Sequence, residues 1–130
     1  MFDLNELGFQ GNAETVNVLH AGDCKSVAPA GFALFAHSTD PTVNGGLPTV
    51  DATFSFALST KLTVYTGTTV LDTVTLVSPQ PKDGASRQVM PGQLTTTGND
   101  SAANFCDAVP AQQYGSAANY GTPRAPNVCM

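Results

Sequence analysis

The sequence predicts an all-β protein, a small antiparallel β-sandwich or barrel with extended N-terminal and C-terminal arms. Three features predict this class: strict alternation of apolar and polar residues in mid-chain, a β-branched run around a glycine, and short segments separated by Gly- and Pro-containing turns. No segment has a long helical period. The length of 130 residues suits one core domain, which we place at residues 13–97 between arms at 1–12 and 98–130.

The strongest alternation covers residues 50–58, where apolar side chains at even positions point one way and mostly polar ones point the other. This pattern is typical of a half-buried strand. Further strands are expected, in chain order, at 14–20, at 31–37 and, more weakly, at 88–90 or 93–97.

A β-hairpin is predicted where residues 62–66 and 69–77 flank the sequence Thr-Gly-Thr. Gly67 supplies the positive φ that such tight turns need. Asp72 interrupts the apolar face of the second strand under perfect alternation. We therefore expect a β-bulge or a sheet-edge position at Asp72.

The N-terminal arm contains the signals of a single helical turn. Asp3 can cap it, with Glu6 three residues later, and Gly8 can end it. One turn of helix is not stable alone in water, so its apolar side chains need another surface, either this chain's sheet or a neighbouring subunit. These candidate partner-binding residues are Phe2, Leu4, Leu7 and Phe9.

The C-terminal arm is rich in small polar residues and holds too few apolar ones for a second core. A short helix is expected at 101–109, ended by Pro110. Residues 101–105 return in similar form at 116–120, and each copy ends in an aromatic residue. The candidate partner-binding aromatics of this arm are Phe105, Tyr114 and Tyr120.

The cysteines leave two interpretations open. Cys24, Cys106 and Cys129 form an odd set without CxxC spacing, which favours isolated thiols in a reducing compartment and opposes a zinc site. Cys106 and Cys129 are nevertheless close enough in the arm to pair in an oxidising exterior, closing a loop that would contribute about 3 kcal/mol.

Composition and motifs oppose several functions. A formal net charge of −5 with scattered basic residues opposes nucleic-acid binding, and neither a membrane span nor a signal peptide is visible. His20, Asp23 and Cys24 straddle a tight turn without an oxyanion-type motif, so we expect no enzyme. Dispersed carboxylates and incomplete phosphate loops indicate no metal site and no cofactor.

The layout of a site-free β core between adhesive arms resembles the cement or decoration proteins of tailed-bacteriophage capsids. The resemblance covers composition and organisation across the whole chain and rests on no motif. It implies a virion protein made in the host cytoplasm, bound as a trimer or dimer on the capsid surface. Its partners would be the major capsid protein and sister subunits, contacted through the arms.

The alternative function is a β-sandwich recognition module, such as a head fibre, spike or carbohydrate-binding protein. Its site would lie in the loops at 40–46 or 79–92. The sequence contains no Trp, the usual stacking platform for sugars, which disfavours the carbohydrate version.

Overall fold

The computed structural model describes residues 1–12, 16–20, 24–58, 60–76, 82–115 and 118–129. Across these ranges the chain forms β-strands and short 3-10 turns and no α-helix, so the all-β prediction is confirmed. In the described ranges the strands form one four-stranded sheet and four two-stranded pairs, with no closed barrel, so neither the barrel nor the sandwich of the prediction is confirmed.

The strands are β1 (Phe2–Asp3), β2 (Leu7–Gln10), β3 (Asn17–Val18), β4 (Ser26–Val27), β5 (Phe35–Ala36), β6 (Ala52–Thr53), β7 (Lys61–Thr66), β8 (Thr69–Thr75), β9 (Arg87–Val89), β10 (Phe105–Asp107), β11 (Gln113–Tyr114) and β12 (Asn119–Tyr120). The 3-10 turns are Pro91–Gln93, Gly98–Asp100, Ala102–Asn104 and Pro110–Gln112.

The central sheet has the order β3-β2-β7-β8, and all its pairs are antiparallel. The predicted hairpin forms its longer half, turning at Gly67 with φ of 56°. Val64 pairs with Asp72 while Tyr65 pairs with Val70, so Leu71 is the extra residue of a bulge. Asp72 thus lies both beside a bulge and on an edge strand, as its polar side chain predicts.

The smaller pairs are β1 with β4, β9 with β10 and β11 with β12, all antiparallel, and β5 with β6, which is parallel. The parallel pair departs from the predicted antiparallel architecture. β9 confirms the weak strand prediction at 88–90. Residues 93–97 do not form a strand. Gln93 ends the 3-10 turn that begins at Pro91, and irregular structure follows it.

The segment 50–58 keeps its predicted burial pattern only at 52–56, since Leu58 is 47% exposed, and its strand is shorter than predicted. Ala52 and Phe56 are buried while Thr53 and Ser55 are less so, yet only Ala52–Thr53 is a strand. Beyond Thr53 the segment packs through its rings: Phe54 contacts His37 at 4.5 Å and Phe56 at 4.9 Å between ring centroids. Alternation therefore reports which side chains are buried, and does not require a ladder of backbone hydrogen bonds.

Two other predicted strands are also short. Of the strand predicted at 14–20, Asn17–Val18 is a strand and Leu19 continues its backbone hydrogen bonds to Glu6 and Leu7, while residues 14 and 15 lie outside the described ranges. Only Phe35–Ala36 of the strand predicted at 31–37 pairs. The strand predicted at 69–77 ends at Thr75 in the structure. Val77, the last residue of the predicted range, lies outside the described ranges.

The predicted helical turn at the N-terminus is wrong. Leu7–Gln10 is instead an inner strand, paired with β3 on one side and β7 on the other. Asp3 still receives the short-range hydrogen bond expected of a cap, from the Asn5 N–H at 3.0 Å. The strand prevails because pairing on both sides satisfies more backbone groups than one helical turn can.

The helix predicted at 101–109 is also wrong. Ala102–Asn104 forms a 3-10 turn, and the next three residues form β10, which pairs with β9. Pro110 begins the following 3-10 turn, where a proline without an N–H is well suited to the first position. Residues 105–107 form a strand because β9, which comes earlier in the chain, offers them an edge with which to pair.

The C-terminal hairpin β11–β12 lies against the loop at 40–46, and this contact limits Gly115. Its φ is 66°, and a Cβ there would meet the carbonyl oxygen of Gly45 well inside van der Waals contact. Gly115→Ala should therefore lower the free energy of unfolding by about 2 kcal/mol, from the left-handed backbone and the overlap together.

Gly67→Ala is the matched control for this prediction, because Gly67 has a similar φ of 56° and no atom within 4 Å of the point that an added Cβ would occupy. It should cost only the backbone term, about 1 kcal/mol. Urea unfolding of the two variants measures the difference. Equal losses would show that the hairpin does not press on the 40–46 loop.

Candidate interaction surface

The sequence-predicted partner residues of the N-terminal segment do not form one surface. Leu4 and Leu7 are buried, with 4% and 7% of their surface exposed, because they belong to this chain's own core. Phe9 is half-buried and contacts Phe35 at 4.6 Å between ring centroids. Phe2 is 51% exposed on β1. Of these four side chains, Phe2 alone has most of its surface available to a partner.

The three aromatics of the C-terminal segment are half-buried and lie on paired strands. Phe105 pairs with Val89 across β10 and β9. Tyr114 lines a cleft of about 220 Å³ together with Leu47. The backbone of Tyr120 bonds to Gly84 and Ser86. These residues pack segments of the chain against each other, and none of the three is a fully exposed side chain.

The large apolar side chains that are most exposed lie mainly elsewhere, and sequence reasoning missed most of them. They are Met1, Phe2, Val18, Val43, Leu58, Val70, Leu71, Leu94 and Val128. Two of them, Val70 and Leu71, lie on the edge strand β8 at its bulge. Leu94 is not on this strand, but it lines the same cleft as Asp72 of β8. Alternation alone predicts a buried Val70, because it does not locate the bulge that reverses the residue's direction.

A cleft of about 340 Å³ adjoins β8. Its lining residues are Asp72, Val89, Leu94, Thr95, Thr96 and Asn99. We refer to the outer edge of β8 together with this cleft as the β8 edge site.

Asp72 is held in a fixed orientation at the β8 edge site. The Thr73 N–H donates to its Oδ1 at 2.8 Å, and Asn99 Nδ2 donates to its Oδ2 at 2.7 Å. No Lys, Arg or His of the described residues forms an ion pair with it. Asn99 Oδ1 is buried and has no hydrogen-bond partner within that part of the chain. The site thus presents a positioned negative charge without a positive counterpart.

The C-terminal strap, residues 122–129, is fastened across the rest of the fold. Arg124 forms an ion pair with Asp51 and donates to the Thr49 carbonyl oxygen at 3.1 Å. Asn127 Nδ2 donates to the Val89 carbonyl oxygen at 2.8 Å. The φ of Arg124 is 63°, an uncommon backbone conformation that these contacts maintain.

A disulfide completes this attachment. Cys106 on β10 bonds to Cys129 at the end of the strap, with a Cα–Cα distance of 5.8 Å. The predicted pairing is confirmed, and the interpretation of these two residues as isolated thiols is wrong. Cys24 is free and exposed.

The dispersed polar residues do not assemble into an evident reaction centre among the described residues. His20 Nδ1 lies 3.0 Å from Glu6 Oε1, and both side chains are mostly exposed. Asp23 lies outside the described ranges. Within those ranges no group of three or more His, Cys, Asp or Glu side chains is placed to hold a metal ion. Nor does any helix there have the length and hydropathy needed to span a bilayer.

The loop at 40–46 is ordered by its own polar side chains. Asp40 Oδ1 accepts hydrogen bonds from Thr42 Oγ1 at 2.7 Å and from the Thr42 N–H at 2.9 Å. Asn119 Nδ2, on β12, donates to the Gly45 carbonyl oxygen at 3.1 Å. These hydrogen bonds hold the loop against β12, with Val43 72% exposed on it.

Two hydrogen bonds from Thr42 lower the pKa of Asp40 below the ordinary 3.8, and the bond from the hydroxyl has a larger effect than the bond from the N–H. A lowered pKa in the folded state means that ionised Asp40 stabilises the loop above the unfolded-state pKa, and that this is lost as pH falls through the folded-state pKa. Thr42→Val should raise the pKa of Asp40 toward its ordinary value, as measured by NMR titration of the carboxyl carbon. Thr39→Val, at a neighbouring exposed threonine, is the control and should leave the pKa of Asp40 unchanged. The same Asp40 pKa in the unmodified chain and in both variants would contradict the prediction.

Comparison with known proteins found no matching family model, no similar curated protein and no similar solved structure.

Proposed function

We propose that this protein is a virion structural protein that decorates and stabilises a bacteriophage capsid. It is made in the host cytoplasm and binds the capsid surface as a homo-oligomer, a trimer or dimer, bridging neighbouring capsid subunits. The observation that carries the proposal is the exposure of large apolar side chains on paired strands, at β1 and along β8. Apolar surface held in place by a fixed backbone gains burial on binding at little cost in chain entropy.

The way in which β1 and the C-terminal strap are fastened supports the same function. The first strand pairs with β4, and the last residues of the strap are tied by the disulfide and by Arg124. Attachments at both ends suit a protein that must stay folded under the mechanical load of a packed capsid. The bridging contacts of this proposal are therefore exposed side chains on ordered segments, with Phe2 as the N-terminal contact.

Binding to capsid shells tests the proposal. Shells assembled from the major capsid protein of the same virus are mixed with the full chain, sedimented, and assayed for bound protein and for resistance to heat. We expect saturable binding and raised shell stability. Phe2→Ser and Leu94→Ser should each weaken binding about tenfold, because each removes an exposed apolar contact.

Val43→Ser is the control, since Val43 is apolar and, at 72%, more exposed than Phe2 or Leu94, but it lies on the 40–46 loop. It should bind as the unmodified chain does. Light scattering of the free protein gives the oligomer number. A monomer that does not bind the shells at any concentration tested would overturn the proposal.

The fixed 40–46 loop favours one second candidate, a recognition module. A loop with a single shape and exposed side chains can present a binding epitope without an ordering cost. The other loop considered for this function, 79–92, begins outside the described ranges, at residues 79–81. This candidate predicts binding on a glycan or receptor array that Val43→Ser and Asp40→Ala abolish and that Phe2→Ser leaves unchanged.

A further inference from the structure

The outer edge of β8 lacks a partner strand in the described chain, and the 3-10 turn Gly98–Asp100 lies beside β8, where Asn99 bonds to Asp72. β8 is the last strand of the central sheet, it is 7 residues long, and no further strand of the described chain pairs with it. Val70 and Leu71, 53% and 40% exposed, lie on it. Unpaired strand edges are where extended peptides add to a sheet through backbone hydrogen bonds, with side-chain pockets giving specificity.

Charge identifies the class of side chain that the β8 edge site fits. The Asp72 carboxylate is oriented by Thr73 and Asn99 and lacks a cationic partner in the described chain. Asp100, in the 3-10 turn beside Asn99, adds a second negative charge to this region. The chain as a whole has a net charge of −5. An added strand that bears Lys or Arg opposite Asp72 would supply the missing charge-assisted hydrogen bond.

We propose that the β8 edge site binds an extended basic segment of a partner protein, which adds to the central sheet as a fifth strand. Its apolar side chains pack on Val70, and on the opposite face a Lys or Arg contacts Asp72 beside Leu94. The identity of this partner as a capsid protein rests on the proposed function. The existence of the site does not.

A second copy of this chain fits the site poorly. In a symmetric antiparallel pair of two β8 strands, the middle residue Asp72 faces Asp72 of the other copy. Like charges directly opposite each other destabilise a strand pair.

The test uses the full chain and a synthetic probe, an acetylated and amidated seven-residue peptide of alternating valine and lysine. NMR shift changes and amide hydrogen exchange report binding. We expect slower exchange at alternate β8 amides, at peptide concentrations below about 1 mM. The same peptide with glutamate in place of lysine should not bind.

Three variants locate the contact. Asp72→Asn should weaken binding about fivefold, because it removes the charge but keeps an oxygen for Thr73. Val70→Lys, at an exposed position, should weaken it similarly by repelling the basic peptide without altering Asp72. Asp83→Asn removes an equal charge in the turn that pairs with Tyr120, and should have no effect.

Equal binding of the two peptides, equal effects of Asp72→Asn and Asp83→Asn, or no change at β8 would each overturn the inference. Its failure is distinguishable from that of the proposed function. If the peptide binds at β8 while capsid shells do not bind the protein, the site stands and the capsid proposal fails. If the shells bind while neither they nor the peptide protect β8, the inference alone fails.

Discussion

Deletion of residues 1–10 is expected to unfold the central sheet. These residues include β2, which lies between β3 and β7 and provides the pairing that joins β3 to the rest of the sheet. They also include Leu4 and Leu7, two of the most buried apolar residues among those described. Circular dichroism and amide NMR spectra of the truncated chain should lack the native β signature.

A point substitution separates this role from a general effect of shortening the chain. Leu7→Ala removes a side chain that is 7% exposed, and should lower the free energy of unfolding by about 3 kcal/mol. Phe2→Ala is the control from the same segment. It removes a larger side chain that is 51% exposed, and should cost less than about 1 kcal/mol.

Urea unfolding measures both values. A truncated chain that keeps its native spectrum, or Leu7→Ala and Phe2→Ala of equal stability, would mean that residues 1–12 are an arm separable from the core, as the sequence predicts. The structure leads to the opposite expectation, because a strand paired on both sides cannot leave a sheet without exposing two edges.

The features that sequence reasoning predicted best are local ones. The hairpin around Gly67 depends on residues adjacent in the chain, on a glycine with the required φ, and on a β-branched second strand. The bulge near Asp72 was foreseeable too, because a carboxylate on an apolar face leaves few alternatives. Both inferences needed no knowledge of what else packs nearby.

Pairing between distant segments was not predictable in this way. The inner position of β2 depends on β7, more than fifty residues later, and the capping residues Asp3 and Glu6 are equally compatible with a helical turn or with a bend before a strand. The same applies to residues 105–107, whose fate depends on an open edge at β9. Local propensity gives way where a distant strand offers more hydrogen bonds.

The candidate site suffered from the same limitation. Sequence reasoning selected Leu4 and Leu7 as adhesive because they are apolar and near an end, yet both belong to the core. It overlooked Leu94, whose exposure depends on how the chain lies along β8. The contact between Asp72 and Asn99 joins residues 27 positions apart and left no local signal.

Loss of the disulfide is the second change expected to have a large effect. Cys106 and Cys129 are 23 positions apart, and opening a loop of this length should lower the free energy of unfolding by about 3 kcal/mol through the added entropy of the unfolded chain. For a chain of this size that corresponds to a fall in Tm of about 10 °C. Thermal unfolding of Cys129→Ser, and of the unmodified chain in reductant, measures the loss.

Cys24→Ser is the matched control, because Cys24 is free and exposed, and it should unfold as the unmodified chain does. Hydrogen exchange then shows where the loss is felt. Strap residues 122–129 should exchange faster through local opening, while amides of the β7–β8 hairpin, to which neither cysteine belongs, should exchange faster only as far as the global free energy of unfolding falls. An unchanged Tm in reductant, with free thiols at both positions, would mean that Arg124 and Asn127 hold the strap without the bond. A lower Tm both in reductant and in Cys129→Ser would mean that the chain reaches full stability only in an oxidising environment.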